Sequence, residues 1–195
     1  MPAENNKIID NTYPSNVLQK GLEFECDAVN LLVGDQGCGK STLLKLLHQN
    51  HKDVEITLSK EVIKKGISTF YFSSEFDNPR TKDPQLFTNP NGTDKGIGMR
   101  GALMTRFESH GETLKKFTVD ALLTAKDCVI FLDEPESGLS ITNQFKLIES
   151  INAAVKNNCQ LFIATHCYPL IEMFTVISLQ HNKKMSGGEF IKLVR

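Results

Sequence analysis

The sequence predicts an α/β fold in which a mainly parallel β-sheet is flanked by helices. Apolar segments of strand length alternate along the chain with segments of helical periodicity, a pattern typical of parallel sheets with helical crossovers. Residues 128–132, CVIFL, form an uninterrupted apolar run, as expected for a strand that is covered on both faces. A length of 195 residues, with 40% hydrophobic and 23% charged residues, suits one globular domain, predicted over residues 1–195.

The predicted strands begin after a polar N-terminal segment. Residues 1–20 are predicted to be irregular and residues 21–33 to form two short strands, and we expect a short antiparallel β element near the N-terminus. Further strands are predicted at 54–58, 69–73, 128–132, 160–164, 175–179 and 189–193. Residues 77–98 are rich in Asn, Pro, Gly, Asp and Thr, a composition that predicts a mobile loop.

Helices are predicted at residues 40–49, at 112 to about 125 and at 141–155. In the second and third of these helices, apolar residues recur at helical spacing, which predicts the face that packs on the core. The stripe predicted for the second helix consists of Leu114, Phe117, Ala121 and Ala125. The stripe predicted for the third helix has one polar interruption and consists of Ile141, Phe145, Ile148, Asn152 and Val155.

Composition and charge argue against several classes of protein. A formal net charge of −1 gives no overall attraction to nucleic acid or to an anionic membrane, and the short basic clusters are predicted to be solvated surface. No apolar run is long enough to span a bilayer, and the N-terminus lacks the basic-then-apolar order of a signal peptide. The five cysteines form no C-x-x-C pair, which predicts buried thiols and a reducing cytoplasm.

A loop with the pattern G-x-x-x-x-G-K-S follows the predicted strand that ends at Val33. Its glycines let the backbone close around a phosphate with N–H groups pointing inward, and the next helix adds the positive end of its dipole. Lys40 can reach the β- and γ-phosphates of a nucleotide, and the Ser41 hydroxyl can ligate Mg²⁺. The predicted nucleotide-binding residues are Gly34, Asp35, Gln36, Gly37, Cys38, Gly39, Lys40, Ser41 and Thr42.

Two carboxylates follow the apolar run at 128–132. Ligands of parallel sheets collect at the carboxyl ends of strands, so Asp133 and Glu134 are predicted to face the bound phosphates. Asp133 is predicted to hold Mg²⁺ through water, and Glu134 to polarise the attacking water. The alternative is that D-E-P simply begins a turn with Glu134 in solvent, which the position after a buried strand disfavours.

These motifs resemble, in order, those of the ATP-binding-cassette (ABC) ATPases. Residues 34–42 resemble Walker A, residues 132–135 Walker B with its catalytic glutamate, residues 137–140 the D-loop, and Thr165-His166 the switch histidine. The resemblance runs from about residue 22 to the C-terminus. It implies a P-loop NTPase fold of ABC type, ATP hydrolysis with Mg²⁺, and a homodimer in which two copies meet head to tail around two ATP molecules.

The resemblance also implies a signature loop that contacts the partner copy's ATP. Ser109, His110, Gly111 and Glu112 precede Walker B and a predicted helix, as in the family, and are assigned to this role. Residues 186–189, SGGE, match the family's letters better, but they follow the switch histidine, and residues 190–194 behind them look like a strand rather than a helix. They are therefore predicted to form a hairpin turn. His110 in place of glycine resembles RecF and SMC-like ATPases, although residues 77–108 are too few for a coiled-coil insertion.

Three further residues are assigned from their positions relative to these motifs. His166 follows the predicted strand at 160–164, and an imidazole there can hydrogen-bond the γ-phosphate, which makes His166 catalytic together with Glu134 and Lys40. Glu75 can stand in for the family's Q-loop glutamine and reach a Mg²⁺ water, or it is a surface glutamate at a strand end. Tyr13 is a candidate for stacking on adenine, or a packing residue.

The predicted function is that of an ATPase whose ATP-driven dimerisation drives or regulates a partner. The partner is either DNA or an effector protein such as a nuclease. DNA repair, phage biology and defence are contexts in which similar compact ATPases serve. The alternative is the ATP-binding subunit of a membrane transporter, against which His110 and the short middle region stand. A small-molecule kinase ranks third, because a kinase does not need the motifs at residues 132–140.

Overall fold

The computed structural model describes residues 8–10, 26–49, 54–56, 69–73 and 116–195, and the side chains of 26–49, 69–73 and 118–195. The strands within these ranges are β1 Ile8–Asp10, β2 Val29–Val33, β3 Val54–Ile56, β4 Thr69–Ser73, β5 Val129–Asp133, β6 Gln160–Ala164, β7 Thr175–Ser178 and β8 Lys183–Ser186. The helices are α1 Lys40–Gln49, a π-helical turn Lys116–Asp120 that continues into α2 Ala121–Thr124, α3 Ile141–Lys156, α4 Tyr168–Met173 and α5 Gly187–Leu193. None of the helices described is both long and apolar enough to cross a bilayer.

Six of the strands form one sheet in the order β4-β5-β6-β2-β7-β8. The first five are parallel and β8 pairs antiparallel with β7, which confirms the predicted α/β fold with a mainly parallel sheet. The register aligns Ser73 with Asp133 and Asp133 with Ala164, so these strands end at the same edge. An antiparallel element is also present, but it pairs β1 with β3, and β1 lies in the segment predicted to be irregular.

The central strands are buried on both faces because helices cover both sides of the sheet. On one side Leu43, Leu44 and Leu47 of α1 pack against a cluster that includes Phe131 of β5 and Phe162 of β6. On the other side α3, α4 and α5 pack against the alternate residues of the same strands. Burial of successive residues on opposite faces explains why β5 is an uninterrupted apolar run.

The buried faces of two helices differ from the predicted stripes. In α3 the buried residues are Leu147, Ile148, Ser150, Ile151 and Ala154. Of the predicted stripe, Ile148 is buried and Val155 packs against the core, whereas Ile141 and Phe145 are 70% and 53% exposed. The stripe through residues 147, 151 and 154 is fully apolar, so its burial is favoured over a stripe that contains Asn152.

Before α2 the buried residues are Thr118 and Val119, and Leu122 of α2 is buried while Ala121 is exposed. Ala125 of the predicted stripe is partly buried and packs against the core, and the side chains of Leu114 and Phe117 lie outside the described residues. The π-helical turn at Lys116–Asp120 is wider than an α-helical turn. The following residues are therefore rotated relative to the regular helical spacing on which the predicted stripe was based.

The C-terminal segment was predicted wrongly. Residues 186–189 do not form a hairpin turn and residues 189–193 do not form a strand, because helix α5 begins at Gly187. Ser186 and Glu189 form a capping box that satisfies the first N–H groups of α5. Gly187 lets α5 approach α4 closely, since a Cβ atom at this position would lie 1.6 Å from the Ile171 carbonyl oxygen. Helix α4 and strand β8 were not predicted.

All five cysteines are free thiols, as predicted, and four of them are buried. Burial raises the pKa of Cys26 to about 12. Cys128 and Cys159, at the starts of β5 and β6, lie with their Sγ atoms 3.5 Å apart, and burial also raises the pKa of Cys128 to about 12. These three thiols therefore pack in the core at the amino-terminal ends of the parallel strands, away from the carboxyl ends.

Candidate functional site

The glycine-rich loop lies between the end of β2 and the start of α1 and encloses the Lys40 side chain. Gly34 has φ of 149°, and a Cβ atom at this position would lie 2.7 Å from Cys38 Sγ, so a larger residue here would strain the backbone and displace the Cys38 side chain. Lys40 is 5% exposed. Its Nζ atom donates to the carbonyl oxygens of Gly34 at 3.0 Å and of Asp35 at 2.9 Å.

The Lys40 ammonium is thus held by neutral groups. Besides the two carbonyls it contacts Cys38 Sγ at 3.8 Å, and among the described residues no carboxylate pairs with it. A buried cation without a counter-ion is costly, so the loop favours an anion beside Lys40. Asp35, the acidic residue of the loop, instead accepts a hydrogen bond from Gln180 in the turn between β7 and β8.

Asp133 lies at the carboxyl end of β5, where two hydroxyl groups hold its carboxylate. Ser41 Oγ donates to Oδ1 at 2.8 Å, and the Tyr71 hydroxyl donates to Oδ2 at 3.1 Å. Mg²⁺ takes oxygen ligands and keeps several waters beside one or two protein groups, so Ser41 and Asp133 fit this ion. Glu75, the third predicted ligand, lies outside the described residues.

Sequence reasoning missed Tyr71. The signal was the parallel register of β4 and β5, which pairs Tyr71 with Phe131 and Ser73 with Asp133. Residues two apart on a strand share a face, so this register lets the Tyr71 hydroxyl reach the carboxylate at the strand end. The two strands are distant in sequence, and their adjacency was needed to see the contact.

Glu134 and His166 lie on neighbouring loops at the same edge of the sheet. Glu134 has φ of 49°, a left-handed conformation that costs a non-glycine residue about 1–2 kcal/mol. This conformation is fixed by the Glu134 N–H, which donates to the Ala164 carbonyl at 2.9 Å. Glu134 Oε1 lies 3.7 Å from His166 Nε2, and the two side chains are 47% and 45% exposed.

A cavity of about 190 Å³ brings these predicted residues together. It lies between the glycine-rich loop, the start of α1 and the ends of β5 and β6. Its lining consists of Gln36, Gly37, Gly39, Lys40, Ser41, Thr42, Glu134 and His166. An ammonium, a hydroxyl, a carboxylate and an imidazole therefore face one small space, as a phosphate-binding and hydrolytic site requires.

Glu136 is a second residue that sequence reasoning missed. Its Oε1 atom accepts hydrogen bonds from Thr165 Oγ1 at 2.7 Å and from the His166 backbone N–H at 2.8 Å. Burial raises the pKa of the Glu136 carboxyl, against the hydrogen bonds that lower it. The contact links two loops that are far apart in sequence, so no local pattern revealed it.

The structure describes only one of the two candidate signature loops. Residues 109–112 lie outside the described part of the chain. In the competing SGGE segment, the Ser186 hydroxyl accepts from the Glu189 N–H at 3.3 Å and donates to Glu189 Oε2 at 2.8 Å. The Ser186 hydroxyl and the Ser186 N–H both donate to Glu189 Oε2, and they lower the pKa of the Glu189 carboxyl. Ser186 is thus engaged in capping α5 within its own chain.

Comparisons with known proteins relate the chain to ATP-binding proteins of transporters, although no family model matches it. The zinc import ATP-binding protein ZnuC 1 of Aliivibrio fischeri is 28% identical over 201 aligned residues, which cover 95% of this chain and 74% of the relative. The energy-coupling factor transporter ATP-binding protein EcfA2 of Streptococcus sanguinis is 24% identical over 201 aligned residues, which cover 86% of this chain and 72% of the relative.

The fold matches solved ABC structures. One of them is an ATP-binding cassette whose dimer was solved in a post-hydrolysis state with ADP and phosphate. It is 15% identical, with a TM-score of 0.58 over 93% of this chain and 98% of that one. The chain is therefore related in sequence to ATP-binding subunits of transporters, and its α/β fold is that of the ABC ATPases.

Proposed function

We propose that this ABC-type chain binds Mg²⁺–ATP and hydrolyses it to ADP and phosphate. The observation that carries the proposal is the convergence of Lys40, Ser41, Glu134 and His166 on one cavity at the carboxyl edge of the sheet. Such convergence at strand ends is where parallel α/β proteins bind their ligands. The sequence relatives are named as ATP-binding proteins, which supports ATP as the nucleotide.

Binding is assigned to the glycine-rich loop and α1. The loop N–H groups and the N-terminus of α1 attract the phosphates. The Lys40 ammonium, which in this structure donates to the carbonyl oxygens of Gly34 and Asp35, donates to phosphate oxygens instead when the nucleotide binds. Ser41 and Asp133 hold Mg²⁺, which when bound neutralises the charge of the β- and γ-phosphates.

Hydrolysis is assigned to Glu134 and His166. Glu134 orients a water molecule and accepts a proton from it as the water oxygen bonds to the γ-phosphorus and the bond to the β–γ bridging oxygen breaks. His166 Nε2, 3.7 Å from Glu134 Oε1, is placed to hydrogen-bond the γ-phosphate and so to sense its presence. The products are ADP and inorganic phosphate.

We further propose that two copies meet head to tail, with residues 109–112 of one copy at the γ-phosphate of the other. The proposal rests on the position of this loop before β5. Residues 186–189 also open a helix, α5, so the choice against them rests on their position after His166. On this proposal the nucleotide holds the dimer together, because ATP contacts both copies.

Ser109→Arg and Ser186→Arg form a matched pair that tests this choice. We expect Ser109→Arg to leave ATP binding by the monomer nearly normal and to stop hydrolysis, because the bulky side chain blocks the partner's γ-phosphate. Ser186→Arg removes a helix cap, which costs about 1 kcal/mol of stability, and should leave the ATPase rate nearly unchanged below the unfolding temperature. Nucleotide titration, phosphate release and thermal unfolding of both variants give the answer. Loss of hydrolysis on changing Ser186 alone would contradict the assignment.

For the partner, we propose a membrane transporter that this chain energises from the cytoplasmic side. The sequence analysis gave this function as the alternative. The named relatives support it over action on an effector protein or DNA, because they are ATP-binding proteins of transporters. A nuclease, another effector protein or DNA is the second candidate, favoured by His110 in the proposed signature loop and by the short segment at residues 77–108. The likeness of His110 to RecF and SMC-like ATPases stays a prediction.

A comparison of membrane and soluble fractions separates the two candidates. Tagged Glu134→Gln chain, loaded with ATP in its native host, is purified in detergent from membranes and, in parallel, from the soluble extract. We expect an integral membrane protein to co-purify with the chain in a fixed ratio. Less of this protein should co-purify with the Lys40→Ala variant, because that variant cannot hold the ATP-bound state. A nuclease or DNA in fixed ratio in the soluble fraction would favour the effector instead. Transfer of phosphate to an acceptor other than water would indicate a kinase.

A further inference from the structure

Glu136 connects the loop after β5 to the loop after β6. Its Oε1 atom receives two donors, Thr165 Oγ1 at 2.7 Å and the His166 N–H at 2.8 Å. Thr165 is fully buried, and its Oγ1 also accepts from the Cys167 N–H at 2.9 Å. One carboxyl oxygen thus anchors, directly or through Thr165, the backbone on both sides of His166.

The His166 side chain has much less support of its own. It is exposed, and within the described part of the chain its imidazole approaches Glu134 Oε1 at 3.7 Å. The position of the imidazole in the cavity therefore depends on the backbone that carries it. Glu134 is two residues before Glu136 on the same turn, where the Ser137 N–H donates to the Glu134 carbonyl at 3.0 Å. The hydrogen bonds of Glu136 therefore connect the loop that carries Glu134 to the loop that carries His166.

We propose that Glu136 is a positioning residue that holds His166 in register with Glu134 for ATP hydrolysis. The inference rests on the proposed function and adds to it a residue that is not part of the lining of the cavity. Placement matters because a displacement of about 1 Å in a catalytic group can lower a rate by about a hundredfold.

The pattern of hydrogen bonds indicates that Glu136 acts as an acceptor and needs no charge. Both donors meet Oε1, whereas Oε2 is buried and has no hydrogen-bond partner among the described residues. A proton on Oε2 would leave both contacts intact. Glutamine has the same shape, with an amide oxygen that accepts like Oε1 and an NH₂ group in place of Oε2. Glu136→Gln should therefore keep the function that Glu136→Ala loses.

The test compares Glu136→Ala, Glu136→Gln and Glu134→Gln with the exposed Glu149→Ala as control. We expect Glu136→Ala to lower kcat by about 10-fold to 100-fold while the Kd for ATP changes by less than about threefold, because Lys40, Ser41 and Asp133 are untouched. Glu136→Gln and Glu149→Ala should stay within about threefold of the parent kcat, whereas Glu134→Gln should be nearly inactive.

Hydrogen exchange of the nucleotide-free protein gives a readout that does not depend on activity. The amide of His166 should exchange faster in Glu136→Ala than in the parent, and at the parent rate in Glu136→Gln, since only the alanine variant removes its acceptor. The proposal would be overturned if Glu136→Ala had the amide exchange rate and the kcat of the parent. It would also be overturned if the kcat of Glu136→Gln were as low as that of Glu136→Ala. If the parent hydrolyses no ATP, the proposed function fails, while the exchange rates still decide whether Glu136 holds this loop.

Discussion

Lys40→Ala is expected to lower the affinity for ATP by about 100-fold or more. Lys40 is 5% exposed and its ammonium donates to two carbonyls of its own loop, so the charge is largely desolvated before the nucleotide arrives. Phosphate oxygens offer it charge-assisted hydrogen bonds worth about 1.5–3 kcal/mol each. Alanine leaves the phosphate charge uncompensated in the loop.

Titration with a fluorescent ATP analogue measures the effect of Lys40→Ala. Lys40→Met keeps the apolar stem and should bind as weakly as Lys40→Ala, which separates loss of charge from loss of packing. Lys146→Ala, on the exposed face of α3, removes a lysine outside the cavity and should bind ATP like the parent. Thermal unfolding of all three checks that the fold is intact. Unchanged affinity in both Lys40 variants would refute the phosphate-loop assignment.

Local patterns predicted the elements that carry the cavity. The helix at residues 40–49 and the strand at 69–73 were predicted with the bounds that the structure has, and β5 was one residue off. The central strands β2, β5 and β6 are buried on both faces, so their apolar runs are continuous and easy to recognise. The glycine-rich loop follows from backbone geometry that glycine alone tolerates, as at Gly34.

The errors arise where a contact between distant segments decides the structure. Residues 190–194, FIKLV, have the composition of a strand, yet they lie largely in α5 because the Ser186–Glu189 capping box and the close approach of Gly187 to α4 favour a helix. Tyr71 and Glu136 gain their roles from the pairing of β5 with its neighbours. Strand order is a property of the whole sheet, and no segment of sequence carries it alone.

Glu134→Gln is expected to lower the rate of ATP hydrolysis by about a hundredfold to ten-thousandfold, the usual cost of losing a general base. The amide keeps the shape of the carboxylate and can still contact His166, but it cannot accept a proton from water. Affinity for ATP should persist, because Lys40, Ser41 and Asp133 remain. The left-handed backbone of residue 134 is held by the Ala164 carbonyl in both proteins, so the geometry of the turn is retained.

The trapped ATP makes Glu134→Gln a test of the dimer as well as of catalysis. Two sandwiched ATP molecules stabilise the head-to-tail dimer only while their γ-phosphates persist, so blocking hydrolysis should shift the population towards it. Light scattering should show monomer converting to dimer with ATP and Mg²⁺ but not with ADP, and Lys40→Ala added to Glu134→Gln should abolish the shift. A Glu134→Gln chain that hydrolyses ATP at the parent rate would refute the catalytic role of Glu134. One that is inactive, binds ATP and stays monomeric would refute homodimerisation and leave the second half of the site to a partner chain.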